Sequence, residues 1–236
     1  MIHHTAIIDK NSKISSNVEI GPYCVIGPEV EIASDTKLHS HVCIKGNTKI
    51  GKNNEIFPFT SIGTPPQDLK YKGEKTKISV GKNCKIREYV TINLGTLGGG
   101  GITTVGNNCL LMIGTHIAHD CIINDNVIFA NHSTLAGHVI VEKNVVVGAL
   151  SAIHQFSRVG EGSMIGGMSG VTADVIPFTT VMGNRAKLSG LNLVGLKRSN
   201  YEKKEINELR KLFKYLFYST EKTLDYRLKN TKKKKI

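Results

Sequence analysis

An aliphatic residue recurs at every sixth position along most of this chain. Ile2, Ile8, Ile14, Ile20, Ile26, Ile32, Leu38, Ile44, Ile50, Ile56 and Ile62 form one run, Val80, Ile86 and Ile92 a second, and every sixth residue from Val105 to Val171 a third. Neither the 3.6-residue period of a helix nor the two-residue alternation of a plain strand produces this register. Short strands that turn every six residues do, each pointing one aliphatic side chain inward. The following residue is often glycine (Gly21, Gly27, Gly51, Gly81, Gly106, Gly148, Gly160, Gly166), which predicts that glycine relieves the backbone at each corner. Three strands close a triangular coil of eighteen residues, and coils stack at about 4.8 Å. Residues eighteen apart are then near neighbours. The reading is an all-β solenoid, a parallel β-helix over residues 1–180, whose handedness this pattern leaves open.

Two stretches break the register. Residues 63–79 and 98–104 are polar or glycine-rich and are expected to loop out of the stack, where a rigid solenoid displays binding residues. After Pro177 the repeat fades, and residues 181–236 read as a mainly helical extension of one longer and one shorter helix with a basic tail. Ser199 and Glu202 have the spacing of a capping box, and Ile206, Leu209, Leu212, Phe213, Leu216 and Phe217 recur at helical spacing.

Aromatic residues make up only 6% of the chain and tryptophan is absent, so the core is expected to be stacked aliphatic side chains. The five cysteines are odd in number and lack CxxC spacing. Four of them (Cys24, Cys84, Cys109, Cys121) occupy the fourth position after an inward aliphatic, so all five are read as reduced core thiols. The N-terminus has no signal-peptide pattern, and no stretch approaches the roughly 20 apolar residues of a membrane span. A cytoplasmic protein without stable membrane insertion is expected. The net charge is +12, and fourteen Lys/Arg against five Asp/Glu fall between Lys197 and Lys235. That excess suits an acidic partner, although the terminal lysines also read as a solvated, partly disordered end.

The segment from Gly114 to Asp120 carries two histidines, His116 and His119, at corners where a β-helix wall has no structural use for them. By the eighteen-residue rule His119 stacks on Gly137 and then on Gln155, and Asp120 stacks on His138. An imidazole, a carboxylate, a side-chain-free backbone N–H and an amide in one place are what is needed to deprotonate a hydroxyl and stabilise an oxyanion. A non-catalytic scaffold gains nothing from gathering them. His39 and His132 are read as solvated residues. A zinc site drawing on His116, His119 and His138 with a partner chain, as in a hexapeptide-repeat carbonic anhydrase, is the competing chemistry.

The runs GTPPQDLKY (63–71), RE-VTIN-GT (87–96), LLMIGTHIAHDC (110–121), LAGHV (135–139), HQF (154–156), IGGMSGV (165–171) and NLVGLKR (192–198) resemble the UDP-N-acetylglucosamine acyltransferases of lipid A biosynthesis, within the hexapeptide-repeat acyltransferases. The resemblance covers essentially residues 1–228. It implies a homotrimeric left-handed β-helix with active sites between subunits, a 3-hydroxyacyl donor on acyl carrier protein, and transfer to the 3-position of UDP-N-acetylglucosamine. It implies His119 as general base, Asp120 as its orienting carboxylate and Gly137 N–H as oxyanion donor. Asp68 would receive the acyl 3-hydroxyl, with Gln67 and Lys70 beside it. His116, His138, His154 and Gln155 would line the cleft, Asn192 and Arg198 would hold the nucleotide, and Gly167 would end the acyl channel. No cofactor, no metal and no nucleic-acid partner are expected. The chain departs from the pattern at Ser199, where an arginine is common, and at Asn93, where a histidine is common. The second departure raises a 3-amino UDP-sugar as an alternative acceptor.

Overall fold

The computed structural model describes residues 1–220 and 222–231, so the terminal lysines 232–235 lie outside the described residues. Among the described residues, strands of two to five residues form three sheets of nine, eight and ten strands. Each sheet takes every third strand in turn, apart from the closing hairpin of the ten-stranded sheet. The pairing is parallel throughout the stack, with registers such as Ile8 on Ile26, Ile122 on Ile140 and Val146 on Met164. The fold is a left-handed parallel β-helix. An antiparallel hairpin, Thr179–Met182 with Lys187–Leu191, closes its upper end.

The aliphatic period becomes three continuous inner columns. On one sheet Ile26, Ile44, Ile62, Ile92, Ile117, Leu135 and Ile153 lie one above another, each no more than 2% exposed. The fourth position after an inward aliphatic is mostly small or β-branched and buried, because it turns the corner from inside. Where it is Thr or Ser, the hydroxyl mostly satisfies either a carbonyl three residues back, as in Thr115 to Met112, Ser133 to Ala130 and Ser163 to Gly160, or one on the next coil, as in Thr36 to Gly51, Thr60 to Arg87 and Ser151 to Gly166. The five cysteines are free, four of them buried and Cys43 half-buried. Burial pushes the Cys121 thiol up to about 12.

The glycines do a different job from the one predicted. Where a corner has a left-handed backbone, it belongs to the third residue after the inward aliphatic and is seldom glycine: Tyr23, Asp35, His41, Asn53, Asn108, Asp120, His138 and Phe156 have φ between 55° and 65°. The glycine that follows the aliphatic is needed for close approach between coils. A Cβ on Gly51 would sit 2.4 Å from the Gly81 carbonyl oxygen, and one on Gly148 2.5 Å from the Gly167 nitrogen.

The three corners differ in chemistry. One is an asparagine ladder in which the side-chain amides of Asn53, Asn83, Asn108, Asn126 and Asn144 bond coil to coil at 3.0–3.2 Å. A second carries exposed rings, Tyr23, His41, Phe59 and Tyr89, with centroids 4.9–5.2 Å apart. The third, between the nine- and eight-stranded sheets, holds both breaks in the register. Pairing offsets there widen from eighteen residues to thirty (Ser61 with Thr91) and then twenty-five (Thr91 with His116). Strands occupy Ser61–Thr64, Lys77–Val80 and Ile102–Val105, so the excursions run over 65–76 and 94–101 rather than filling 63–79 and 98–104.

Among its described residues the extension contains three helices instead of two: α1 Leu193–Arg198, α2 Lys203–Phe217 and α3 Leu224–Thr231. The capping box is formed by Glu202 and Glu205. Ser199 instead ends α1, its N–H bonded to the Gly195 carbonyl, and Asn200 at φ 59° breaks the chain direction between the helices. Ile206 and Phe213 are the buried face of α2. No helix among the described residues is long and apolar enough to cross a membrane.

Candidate active site

His119 and Asp120 form the turn from strand His116–Ile117 to strand Ile122–Ile123, on the corner that also carries both excursions. Asp120 adopts φ 59°, which an aspartate tolerates better than most side chains. Its carboxylate is fully buried, with the His119 Nδ1 2.8 Å from Oδ2. A carboxylate oxygen only accepts, so in the neutral imidazole Nδ1 carries the proton and Nε2 keeps its lone pair.

One coil up, His138 repeats the left-handed turn at φ 63°, and its N–H bonds to the His119 carbonyl. The two imidazoles meet edge to face at 4.9 Å, and His138 stacks on Phe156 at 4.4 Å. Gly137 lies against the His119 ring: a Cβ there would fall 2.5 Å from Cε1 and 2.7 Å from Nε2. Only a glycine leaves that side of the imidazole clear. The Gly137 N–H donates to no acceptor among the described residues.

His116 is half-buried on the adjacent sheet face, bonded through Nδ1 to the Thr91 hydroxyl at 2.7 Å. Burial pulls its pKa below the usual imidazole range, which keeps it neutral near pH 7. His154 and Gln155 are exposed one coil above Gly137, the His154 Nδ1 lying 3.1 Å from the Gln155 carbonyl oxygen. Gln67, Asp68 and Lys70 project from the first excursion, Gln67 and Lys70 exposed, Asp68 half-buried and accepting the Lys70 N–H at 2.9 Å.

The remaining sequence-predicted residues lie elsewhere on the same chain. Gly167 packs on Ala149 beside the corner that Leu150 and Met168 continue. Asn192 caps α1 by accepting the Gly195 N–H and donates to the Gly162 carbonyl, at the top of the asparagine corner. Arg198 is exposed at the C-terminal end of α1. One chain thus brings together His116, His119, Asp120, Gly137, His138, His154 and Gln155, and holds Gly167, Asn192 and Arg198 apart from them.

Four contributors went unnoticed in the sequence. The Thr96 N–H reaches Asp120 Oδ1 at 2.8 Å, and its hydroxyl reaches Oδ2 at 2.6 Å. Thr103 accepts the Asp120 N–H at 2.8 Å, Gly99 packs against the carboxylate, and Phe156 stacks on His138. Thr96 is twenty-four residues from Asp120, and only the length of the intervening excursion makes them neighbours.

The polar atoms of His119, Asp120 and His138 lie within 4.8 Å of one another, close enough for a metal ion. The donor set argues against one. Both Asp120 oxygens already accept protein hydrogen bonds in a fully buried position, and His116, the further ligand a zinc site was expected to use, is turned onto Thr91. A cleft of about 680 Å³ lies between the closing hairpin and α2, lined by Leu191, Leu193, Phe213 and Tyr218 among others, and holds no comparable acid–base pair.

Residues 174–235 match the family model described as "Udp N-acetylglucosamine O-acyltransferase; Domain 2", and residues 1–34 and 102–137 match "Bacterial transferase hexapeptide (six repeats)". The chain is 53% identical over 160 residues to an acyl-[acyl-carrier-protein]--UDP-N-acetylglucosamine O-acyltransferase of Paracoccus denitrificans, covering 68% of this chain and 61% of that one. It is 55% identical over 216 residues to the protein of the same name from Thermodesulfovibrio yellowstonii, covering 92% and 84%. The crystal structure of the Moraxella catarrhalis UDP-N-acetylglucosamine O-acyltransferase superposes with a TM-score of 0.95 at 43% identity, covering 98% of this chain and 90% of that one. The chain belongs to the UDP-N-acetylglucosamine O-acyltransferase family.

Proposed function

We propose that this protein transfers a 3-hydroxyacyl chain from acyl carrier protein to the 3-hydroxyl of UDP-N-acetylglucosamine, the opening step of lipid A biosynthesis, in the cytoplasm. The observation that carries this reading is the His119–Asp120 pair facing side-chain-free Gly137. His119 Nε2 removes the proton from the sugar hydroxyl as its oxygen attacks the thioester carbonyl. The Gly137 N–H stabilises the oxyanion, and the imidazolium returns the proton to the departing carrier thiolate. Asp120 sets the tautomer and offsets the transient positive charge. Asp68, Gln67 and Lys70 receive the acyl end, and His116, His138, His154 and Gln155 line the cleft.

The corners support a homotrimer. A single prism cannot gather one cleft from three of its corners, whereas a threefold arrangement supplies Gly167, Asn192 and Arg198 from neighbouring copies. Exposed Lys203, Lys204, Arg210, Lys211 and Lys214 on α2 suit an acidic carrier protein.

The test is to incubate the protein with UDP-N-acetylglucosamine and hydroxyacyl carrier proteins of several lengths and to identify the product by mass. Absence of an O-acylated sugar nucleotide overturns the reading, and acylation only of a 3-amino sugar moves the acceptor atom from oxygen to nitrogen. His119→Ala should lower kcat roughly 10²- to 10⁴-fold without changing assembly or melting. Retention of more than a tenth of the parent activity removes His119 from the role of base.

A further inference from the structure

We propose that Thr96 is the positioning residue of the His119–Asp120 pair, and that the glycine excursion 94–101 is the cover that holds the pair dry and aligned. The inference rests on His119 acting as the base. An aspartate's carboxylate rotates freely about its last torsion, which has a broad energy profile. One hydrogen bond to His119 does not stop that rotation. The groups that stop it come from Thr96, whose N–H and hydroxyl each take one oxygen, while His138 Nδ1 at 3.9 Å is too distant to bond. Oδ2, clamped by the Thr96 hydroxyl, is the oxygen that His119 uses.

The local backbone is built for this grip. Thr96 is extended at φ −121° and ψ 155°, a 3₁₀ turn follows at Leu97–Gly99, and Gly100 and Gly101 take φ 97° and 79° to bring the chain back. Gly101 N–H bonds to the Thr96 carbonyl at 2.8 Å, and the Gly101 carbonyl accepts the Lys77 N–H at 2.9 Å. This fold presses Gly99 onto the acid: a Cβ on Gly99 would lie 2.0 Å from Asp120 Cγ, while one on Gly98 would meet nothing within 4 Å. Excluding water strengthens the charge-assisted bond to His119. Of the extra residues that break the repeat before His119, Thr96 and Gly99 therefore belong to the reaction centre.

The test compares the full-length Thr96→Val, Thr96→Ser, Gly98→Ala and Gly99→Ala proteins, with a Thr96→Val/Asp120→Asn double variant, in the same acyl-transfer assay. Losing one bond to a charged group predicts a kcat roughly 10- to 100-fold lower for Thr96→Val, with KM for donor and acceptor unchanged. Thr96→Ser should recover most of the loss. Gly99→Ala should be impaired and Gly98→Ala should not, a contrast between adjacent glycines that loop destabilisation does not produce. In the Asp120→Asn background, Thr96→Val should add nothing, since Thr96 acts through the acid. A Thr96→Val kcat within twofold of the parent, an equal further loss in the Asp120→Asn background, or equal effects at Gly98 and Gly99 each overturn the proposal. A parent protein without acyl-transfer activity would instead sink the functional reading on which it rests.

Discussion

At single residues, this protein places its chemistry where the fold already demands an unusual backbone. Most corners carry one left-handed residue, and an L side chain there costs roughly 1–2 kcal/mol unless it is small, polar and able to bond locally. Asp120 meets that need and is held by Thr96, Thr103 and His119. His138 meets it one coil higher and stacks on Phe156. Asp68 is held more loosely: Oδ1 accepts the Lys70 N–H, and Oδ2 has no partner among the described residues. An acceptor of this kind selects for a donor group on the substrate, because an analogue lacking it leaves the oxygen unpaired. Asp68→Ala should therefore reduce the kcat/KM preference for 3-hydroxyacyl over plain acyl donors by roughly tenfold or more, while slowing transfer less. Competition between the two donors measures this, and an unchanged preference assigns Asp68 another role.

At the level of elements, the strands are too short to be stable alone, and the corners tie them together. The asparagine ladder combines two properties of one side chain, tolerance of positive φ and an amide that donates upward and accepts from below. Asn108 shows both: φ 55°, Oδ1 bonded to Asn83 and Nδ2 to Asn126. Asn108→Ala loses the amide bonds and gains left-handed strain, so it should destabilise by about 2 kcal/mol. Asn108→Gly loses only the bonds and should cost less. Urea denaturation of both variants checks the order. If alanine is tolerated as well as glycine, the backbone conformation is not what the asparagine supplies.

For the whole molecule, the His119 corner and the Gly167 corner are separate on one chain, so in the proposed trimer an acyl chain that starts at His119 would meet Gly167 of a neighbouring copy. Gly167 does not have a left-handed backbone, and its Cβ would meet only Ala149 at ordinary contact distance, 3.4 Å from the carbonyl oxygen. Gly167→Met should therefore fold normally and fill the space beyond. Each methylene excluded from the channel forfeits about 0.8 kcal/mol of burial, so the variant should prefer a donor shorter by several carbons, with activity on that donor largely preserved. Competition among carrier-bound donors gives the length profile, and an unchanged profile places the end of the channel elsewhere.

The six-residue period was enough to establish the solenoid, its inward columns and the coil-to-coil alignment of His119 with Gly137 and of Asp120 with His138. Those features depend on a constant offset, and a constant offset can be counted along a chain. The motifs shared with the acyltransferases pointed to the same histidine and glycine. What could not be counted was everything reached across a break in the period. The excursions change the offset by amounts that only the strand pairing reveals, so the bonds from Thr96 to Asp120, and the gathering of both loops at the active corner, appeared only in three dimensions. The role of the glycines is hidden for a related reason: φ and inter-coil distance both favour glycine in a sequence, and only the tertiary structure separates them. Helix boundaries in the extension likewise depended on local capping geometry, where Glu202 outcompetes Ser199 because Asn200 turns the chain between them.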